Sequence, residues 1–404
     1  MPETTFDPDD PAFLTDPLPV YRRLRDEAPV HHLPASGGIW LVTRFEDIRP
    51  LVRLPEGRMQ VPGVDGGAVF GDGPAGRIYR NLMVLNDPPK HTRLRMLTQK
   101  ALTPKAVEGL RARVEQVVDE TLDAVIERGE MDAVTDLAFV IPYRVICGML
   151  GIPADQRQAL MAVTPDFFRV FLPAANDEAG IQACHEACAF FIDYLSEKIE
   201  ERRADPGDDI FSALVAAEAE GDRLDRDELV ATVLSLLAGG FDTTMGMIGA
   251  GVYNFAREPE QFERLRADPA GLARAATDEI VRWESPVGVT IRHLPEDFTL
   301  GGQRIPAGEP VWLALLSGNH DERQFTNPDR IDIARTEGEH VAFGGSRHFC
   351  IGQHLAKLEG EITFRKLAER IEGFELAGPT PRRMNFQFRS FESLPVRFTP
   401  ARAA

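Results

Sequence analysis

Cysteine is scarce: the chain has four in 404 residues. That is too few for a disulfide scaffold and fits a reducing, cytosolic compartment. No run of about 18 uncharged apolar residues occurs, so no segment reads as a membrane span. The acidic first ten residues hold no apolar signal segment. Glycine and proline, 34 and 30 residues, are too few for a disordered or collagen-like chain. Basic residues are outnumbered 45 to 63, and the net charge of −18 argues against nucleic acid or anionic lipid as the main partner. The 43% apolar content is ample for a large core, and the length is that of an enzyme.

No repeat, charge block or long linker divides the chain, which reads as one continuous fold, mainly α with a minor β portion. Val30 to Leu33 and Ile39 to Thr43 flank Gly37-Gly38 and predict a β-hairpin. Residues 57–76 are glycine-rich and read as a long loop. From Thr92 to about Gly221 the periodicity is helical. Asp225 to Arg257 is the longest helix candidate, with Asp225 and Glu228 set as a capping box and Pro259 just past its end. A helix over Leu272 to Trp283 stops before Pro286. Strands follow at Val289 to His293, Phe298 to Leu300 and Val311 to Leu316, and another helix runs from the Cys350 loop to Ile371. Met384 to Phe398 alternates like a terminal hairpin.

Inside its most apolar stretch the long helix reads Gly239-Gly240-Phe241-Asp242-Thr243-Thr244. Each central glycine costs about 1 kcal/mol relative to alanine, and an unpaired buried acid costs more. Glycine admits a close neighbour, and threonine can divert a backbone carbonyl. The segment therefore describes either a polar groove in mid-helix or a tight crossing with a solvated aspartate. A second constellation is Phe343-Gly344-Gly345-Ser346-Arg347-His348-Phe349-Cys350-Ile351-Gly352. A thiolate just ahead of a helix N-terminus is stabilised by the dipole and free N–H groups. One thiolate with no second cysteine nearby is a poor zinc site, although a single axial thiolate serves haem iron. Glu279 and Arg282 lie three apart on one helix face, and His91 and Arg95 share a face after Pro88-Pro89; each pair alone reads as surface charge.

These four segments, in this order and spacing, resemble the cytochrome P450 family of haem-thiolate monooxygenases over essentially the whole chain. The resemblance implies one P450 domain over residues 1–404, haem b as cofactor, and Cys350 as the iron ligand with Phe343 packed beside its loop. It implies that Glu279 and Arg282 lock that loop. It assigns His91, Arg95, Arg292 and His348 to the haem propionates, which as buried carboxylates need cationic or donor partners. Asp242 and Thr243 match the acid–alcohol pair that delivers protons during O2 activation. Ser346 departs from the family's usual glycine, and a positive φ there would cost serine about 1 kcal/mol.

Several motifs read as decoys. Gly71-Asp72-Gly73-Pro74-Ala75-Gly76 fits a dinucleotide pattern but follows no strand and opens no clear helix. Without a built-in reductase, electrons must come from another protein. Cys184, His185 and Cys188 sit among apolar residues and read as core. Between Lys90 and Arg113, seven Lys or Arg face one acid, Glu108. That excess of six, with Arg347, reads as a landing site for an acidic ferredoxin, served by a separate NAD(P)H reductase. The resemblance gives as pocket candidates Val84, Leu85, Phe168, Phe171, Leu172, Ala238, Phe241, Val287, Val289, Phe386 and Phe388. With 24 Phe against 5 Tyr and 3 Trp, these predict a compact, flat, apolar substrate, unless many are simply core. The nearest resemblance is to members that hydroxylate or O-demethylate para-substituted benzoates; terpenoids, fatty acids and secondary metabolites are the alternative substrates. Arg77, Arg80 and Arg169 are the candidate cations for a benzoate carboxylate. A peroxide-driven peroxygenase and a non-catalytic haem sensor are the alternative functions, and a monomer is expected.

Overall fold

The computed structural model describes residues 6–34, 38–61, 63–168, 177–207, 209–219 and 224–401. Within these the chain forms two compact units. The larger combines residues 1–57, 107–142 and 241–404, and the smaller residues 58–106 and 143–240.

Every described strand belongs to the larger unit. The predicted hairpin forms as β1 (Val30–Leu33) and β2 (Ile39–Val42), paired antiparallel. Three further strands lie at β3 (Glu130–Asp132), β4 (Thr290–His293) and β5 (Phe298–Leu300). The last four are β6 (Gln303–Ile305), β7 (Pro310–Leu313), β8 (Ile371–Leu376) and β9 (Pro395–Pro400). One sheet runs β1-β2-β7-β4, with β2 and β7 parallel; a second runs β3-β9-β8, and β5 pairs β6. Val42, Ile48, Val52, Val311 and Leu313 pack beneath the first sheet without solvent access. The tail differs from its predicted hairpin. β9 pairs with β8 and β3, and the stretch before it makes only isolated bridges, Val287 to Phe388 and Arg382 to Phe391. Alternation fixes a strand but not its partner, and here the partners are the distant segments Glu130–Asp132 and Ile371–Leu376.

The helices of the larger unit include Arg111–Asp123, Pro269–Glu284 and Gln353–Arg370, the last packed on both of the others. The named elements of the smaller unit, among its described residues, are all helices joined by loops. Glu178–Ala204 packs there against Pro74–Tyr79, Arg157–Phe168 and Ile210–Ala219. The dinucleotide-like glycines differ from the sequence expectation in one respect, since a six-residue helix, Pro74–Tyr79, does open inside them. It follows a 3-10 turn and no strand, and a Cβ on Gly73 would meet the His185 ring at 2.4 Å. Packing, rather than phosphate binding, explains those glycines. Cys184 and Cys188 are buried as expected, and His185 Nδ1 accepts from the Ala75 amide.

The long helix spans Arg226–Arg257. Its predicted capping box is complete: Asp225 Oδ1 accepts from the Glu228 amide at 2.9 Å, and Glu228 Oε2 accepts from the Asp225 amide at 3.1 Å. It is the one described helix long and apolar enough to cross a bilayer, yet 78% of its apolar window is buried within the protein. Its residues are those of a core helix.

Candidate functional site

The long helix continues unbroken through its glycines, but its burial lapses there. Gly239 is exposed and Gly240, Asp242 and Thr243 are partly open, between buried Ala238 and buried Thr244. A Cβ on Gly239 would meet nothing within 4 Å. Gly239 thus leaves a gap in the side-chain cover of the helix near Asp242 and Thr243, whereas Gly240 admits Ile146, which a Cβ there would meet at 3.0 Å. The Asp242 carboxylate is held from the C-terminal segment, where Arg383 Nη1 donates to Oδ1 at 2.8 Å. Burial pushes the Asp242 pKa above its ordinary 3.8, and the Arg383 guanidinium pulls it partway back.

The cysteine loop is closed by its own backbone. Gly344 N donates to Val341 O, Phe349 N to Ser346 O and Cys350 N to Phe343 O, at 2.9, 3.1 and 2.9 Å. Two positions need their glycines. Gly344 has φ +71°, and a Cβ on Gly345 would sit 3.0 Å from the Val52 carbonyl oxygen. Ser346, where the resembled pattern has glycine, also takes a left-handed φ of +53°. Cys350 ends this loop three residues before the helix Gln353–Arg370. The other three cysteines are buried; Cys350 is not. Phe343 and Phe349 are likewise only half-buried, so an apolar surface with one soft sulfur donor is left partly open. Among the described residues no His, Cys, Asp or Glu cluster could hold a metal ion by itself. A lone thiol on an open aromatic loop fits the iron of a flat macrocycle and not a zinc cage.

Behind this loop lies a buried ion-pair network. Glu279 and Arg282, 4% and 2% exposed, pair through two 2.8 Å hydrogen bonds. Glu279 also accepts from Arg335 Nε and from the Asp332 amide. Arg282 donates to the carbonyls of Asn319, Pro328 and Arg330. Asn319 carries the link onward, accepting the Val341 amide on Oδ1 at 2.8 Å just ahead of the cysteine loop. A helix-surface pair by sequence is therefore a buried clamp on three carbonyls. Arg335 and Asn319 carry no sequence signal of this role, because nothing in local spacing ties them to Glu279.

Arg292 lies on β4, 2% exposed, donating to Ile291 O at 2.7 Å and Val52 O at 3.3 Å. His348 ends the 3-10 turn Ser346–His348. His91 is buried on the smaller unit's helix Lys90–Gln99, which also carries Arg95 one turn later.

The pocket candidates have varied settings. Val84 is exposed and Leu85 partly so, in the 3-10 turn Met83–Leu85. Phe168 ends its helix against Phe167, and Phe171, Leu172 and Arg169 lie outside the described residues. Phe241 packs on Phe139, while Val287 and Val289 adjoin β4 and Val287 bridges Phe388. Phe386 joins an aromatic cluster with Phe6, Phe13 and Trp312. Arg77 and Arg80 are already committed to carboxylates, Arg77 to Asp227, and Arg80 to Asp65 and Asp72.

The cytochrome P450 family model matches residues 74–270 and 271–388. Cytochrome P450 107B1 of Saccharopolyspora erythraea is 39% identical over 400 residues, covering 96% of each chain. The 6-deoxyerythronolide B hydroxylase of the same organism is 35% identical, covering 96% of this chain and 97% of the relative. The solved structure of the Bacillus subtilis cytochrome P450 PksS superposes with a TM-score of 0.88 at 31% identity, covering 98% of this chain and all of that one. The chain belongs to the cytochrome P450 family, haem-binding oxidoreductases that insert one atom of O2 into a small-molecule substrate.

Proposed function

We propose that Cys350 would hold the iron of haem b through its thiolate in a single catalytic domain, and that the enzyme hydroxylates or O-demethylates a compact apolar, aromatic substrate with electrons from a ferredoxin. The observation that carries this reading is the partly open Cys350 at the end of its closed loop, ahead of a helix N-terminus. When bound, the haem would supply the centre at which O2, the oxidant, is activated with the two electrons from the donor. The chain's own residues do the rest. Glu279 and Arg282 hold the polypeptide behind the loop, and His91, Arg95, Arg292 and His348 neutralise the propionates. Asp242 takes a proton from solvent on its carboxylate and passes it through the Thr243 hydroxyl. The open interval of the long helix gives these two groups access to the reacting centre.

The reduced carbon-monoxide difference spectrum tests the assignment. The parent is expected to give the red-shifted thiolate band, and Cys350→His to lose it; a parent spectrum without that band overturns the reading. Thr243→Ala is expected to keep the band while diverting reducing equivalents to peroxide, which a haem sensor would not do.

The ferredoxin reading rests on charge. Of the seven basic residues counted in sequence, Lys90 and Arg93 are engaged by Glu228, and Arg111 by Glu108 and Glu361. Lys100, Lys105 and Arg113 stand exposed and carry the attraction for an acidic donor. Charge reversal at Lys100 and Arg113 raises the ferredoxin KM, most at low salt; an unchanged KM rules these residues out. For the substrate, 4-methoxybenzoate is expected to shift the haem spin state. Relatives whose names specify bulkier molecules, the 6-deoxyerythronolide B hydroxylase among them, make a macrolactone the comparison ligand.

A further inference from the structure

The network behind the cysteine loop passes through one amide side chain. Asn319 ends the short helix Leu315–Asn319 and has no solvent access. Its backbone carbonyl accepts from Arg282 Nη1 at 2.6 Å, its Nδ2 donates to Ser285 Oγ at 2.8 Å, and its Oδ1 accepts the Val341 amide at 2.8 Å. The Ser285 hydroxyl donates in turn to the Arg282 carbonyl at 3.0 Å. Arg282, Asn319 and Ser285 thus close a ring of three hydrogen bonds, and the Val341 bond leaves that ring towards the cysteine loop.

Only an amide serves both sides of this position. A backbone N–H can only donate, so Oδ1 faces Val341 and the NH2 faces the serine, whose own proton is committed to Arg282. An aspartate would offer the serine no donor, and an alanine would offer neither neighbour a partner. Ser285 is as deeply buried as Asn319, and Val341 is 2% exposed. In such surroundings a made hydrogen bond is strong and an unmade one costly.

The two sides of the ring do different work. Ser285 follows the helix Pro269–Glu284 in a left-handed conformation, φ +44°, which a residue other than glycine keeps only where its surroundings dictate it. The chain beyond is tied down at once: Pro286 O accepts the Arg389 amide at 2.9 Å, Gly288 N donates to Gln387 O at 2.8 Å, and Gly288 O accepts the Leu316 amide at 3.1 Å. Val287 and Val289, two of the pocket candidates, stand on this stretch. On the other side Val341 is held twice, its N–H by Asn319 and its carbonyl by the Gly344 amide at 2.9 Å. That turn opens the loop that ends at Cys350, whose amide returns to Phe343 O.

We propose that Asn319 is a positioning residue that joins the strained Ser285 turn to the Cys350 loop, so that residues 286–289 and the seat of the thiolate hold or slip together. The proposal deepens the function proposed above and rests on it only for the thiolate being the iron ligand; the link between turn and loop stands apart from the haem.

Amide hydrogen exchange of the holoprotein, read by mass spectrometry on the peptide 341–352, tests it in Ser285→Ala, Asn319→Ala and the double variant. Both single variants are expected to speed exchange of this peptide, Asn319→Ala by about tenfold for one lost hydrogen bond, while the following helix Gln353–Arg370 keeps its parental rate. Ser285→Ala is expected to add nothing once Asn319 is alanine. Ser285→Gly relaxes the backbone but also lacks the hydroxyl, and is expected to match Ser285→Ala at the loop. If Asn319→Ala fails to fold, Asn319→Asp takes its place. It keeps the acceptor for Val341 but has no donor for Ser285, so its loop is expected to ignore Ser285→Ala. The red-shifted band of the reduced carbon-monoxide complex is expected to decay faster in both single variants, and no faster in the double variant than in Asn319→Ala. The proposal is overturned if Ser285→Ala leaves the loop at its parental rate, if the two effects add, or if exchange quickens evenly along the chain, as a merely structural residue would cause. It also falls if the loop loosens while the band decays at the parental rate. A loop that depends on Ser285 in a parent without the thiolate band removes the haem assignment alone; a normal band over a loop indifferent to Ser285 removes the link alone.

Discussion

Arg383 Nη1 donates to Asp242 Oδ1 at 2.8 Å across 141 residues of sequence. The carboxylate is nearly buried, with 12% of its side chain exposed, while the arginine is 44% exposed. The pair therefore joins a group inside the open interval of the long helix to one in contact with water. Burial raises the Asp242 pKa and Arg383 opposes that rise.

Removing the arginine removes the opposing influence. In Arg383→Met the carboxyl rises further, and the pH profile of product formed per NADH consumed moves to higher pH. Asp242→Asn flattens the profile at a low level. For stability the sign is the reverse of the usual salt-bridged acid. A raised carboxyl binds its proton more tightly in the folded state, so the parent loses stability relative to Asp242→Asn as pH climbs from the ordinary 3.8 towards the folded value. Denaturant melts across that range check it; an unshifted coupling profile in Arg383→Met would show that the pair does not govern proton delivery.

Glu279 holds two guanidiniums, Arg282 and Arg335, in a buried site. Glu279→Ala strips Arg282 of its carboxylate, leaves Arg335 with Glu337 alone, and is expected to cost about 3–5 kcal/mol, read by urea unfolding together with loss of bound haem. Exchanging the pair, with Arg at 279 and Glu at 282, is expected not to rescue. A carboxylate cannot donate to the carbonyls of Asn319, Pro328 and Arg330 that Arg282 now serves. Parental stability and haem content in the exchanged variant would reduce the network to a simple ion pair.

Much of this architecture can be read from local signals. The capping box at Asp225 and Glu228, the glycines at 239 and 240, and the cysteine ahead of its helix are written within a few residues of one another. The partners that give those residues their chemistry are not. Arg383 meets Asp242, Arg335 meets Glu279 and Arg389 approaches Glu284 only after the chain has returned through β-structure that local periodicity cannot pair. The tail shows the same limit: its alternation marks a strand, yet β9 pairs with β8 and β3. Arg77 and Arg80 show the converse, since a free-looking cation in sequence is already spoken for in the fold.

Ser346 pays for its φ of +53° in backbone strain. Its side chain is exposed, so Ser346→Gly relieves strain without opening a cavity. The gain expected is up to about 1 kcal/mol, reduced by the greater freedom of glycine in the unfolded chain. Ser346→Val, branched at Cβ, is expected to be less stable than the parent. Holoprotein melting temperatures in the order Gly, Ser, Val support a strained turn; equal values would mean that the loop relaxes at no cost.

Glu359 supplies the clearest pH signature outside the site. It is 1% exposed on the helix Gln353–Arg370, and among the described residues its Oε2 has no hydrogen-bond partner. Thr363 Oγ1, one turn later, is buried in the same condition. With no cation to balance it, burial pushes the Glu359 pKa well above its ordinary 4.5, and the side chain is carried as a neutral acid. The unfolded chain releases this proton at the ordinary value while the folded protein retains it. Stability is therefore full at low pH and falls as pH rises, by about 1.4 kcal/mol per pH unit until the folded group also ionises. Glu359→Gln keeps the shape and has no proton to lose. Urea unfolding as pH rises above the ordinary 4.5 is expected to show the variant gaining on the parent until the folded group ionises, and parallel curves would mean that the carboxyl is charged in the folded protein and finds a partner there.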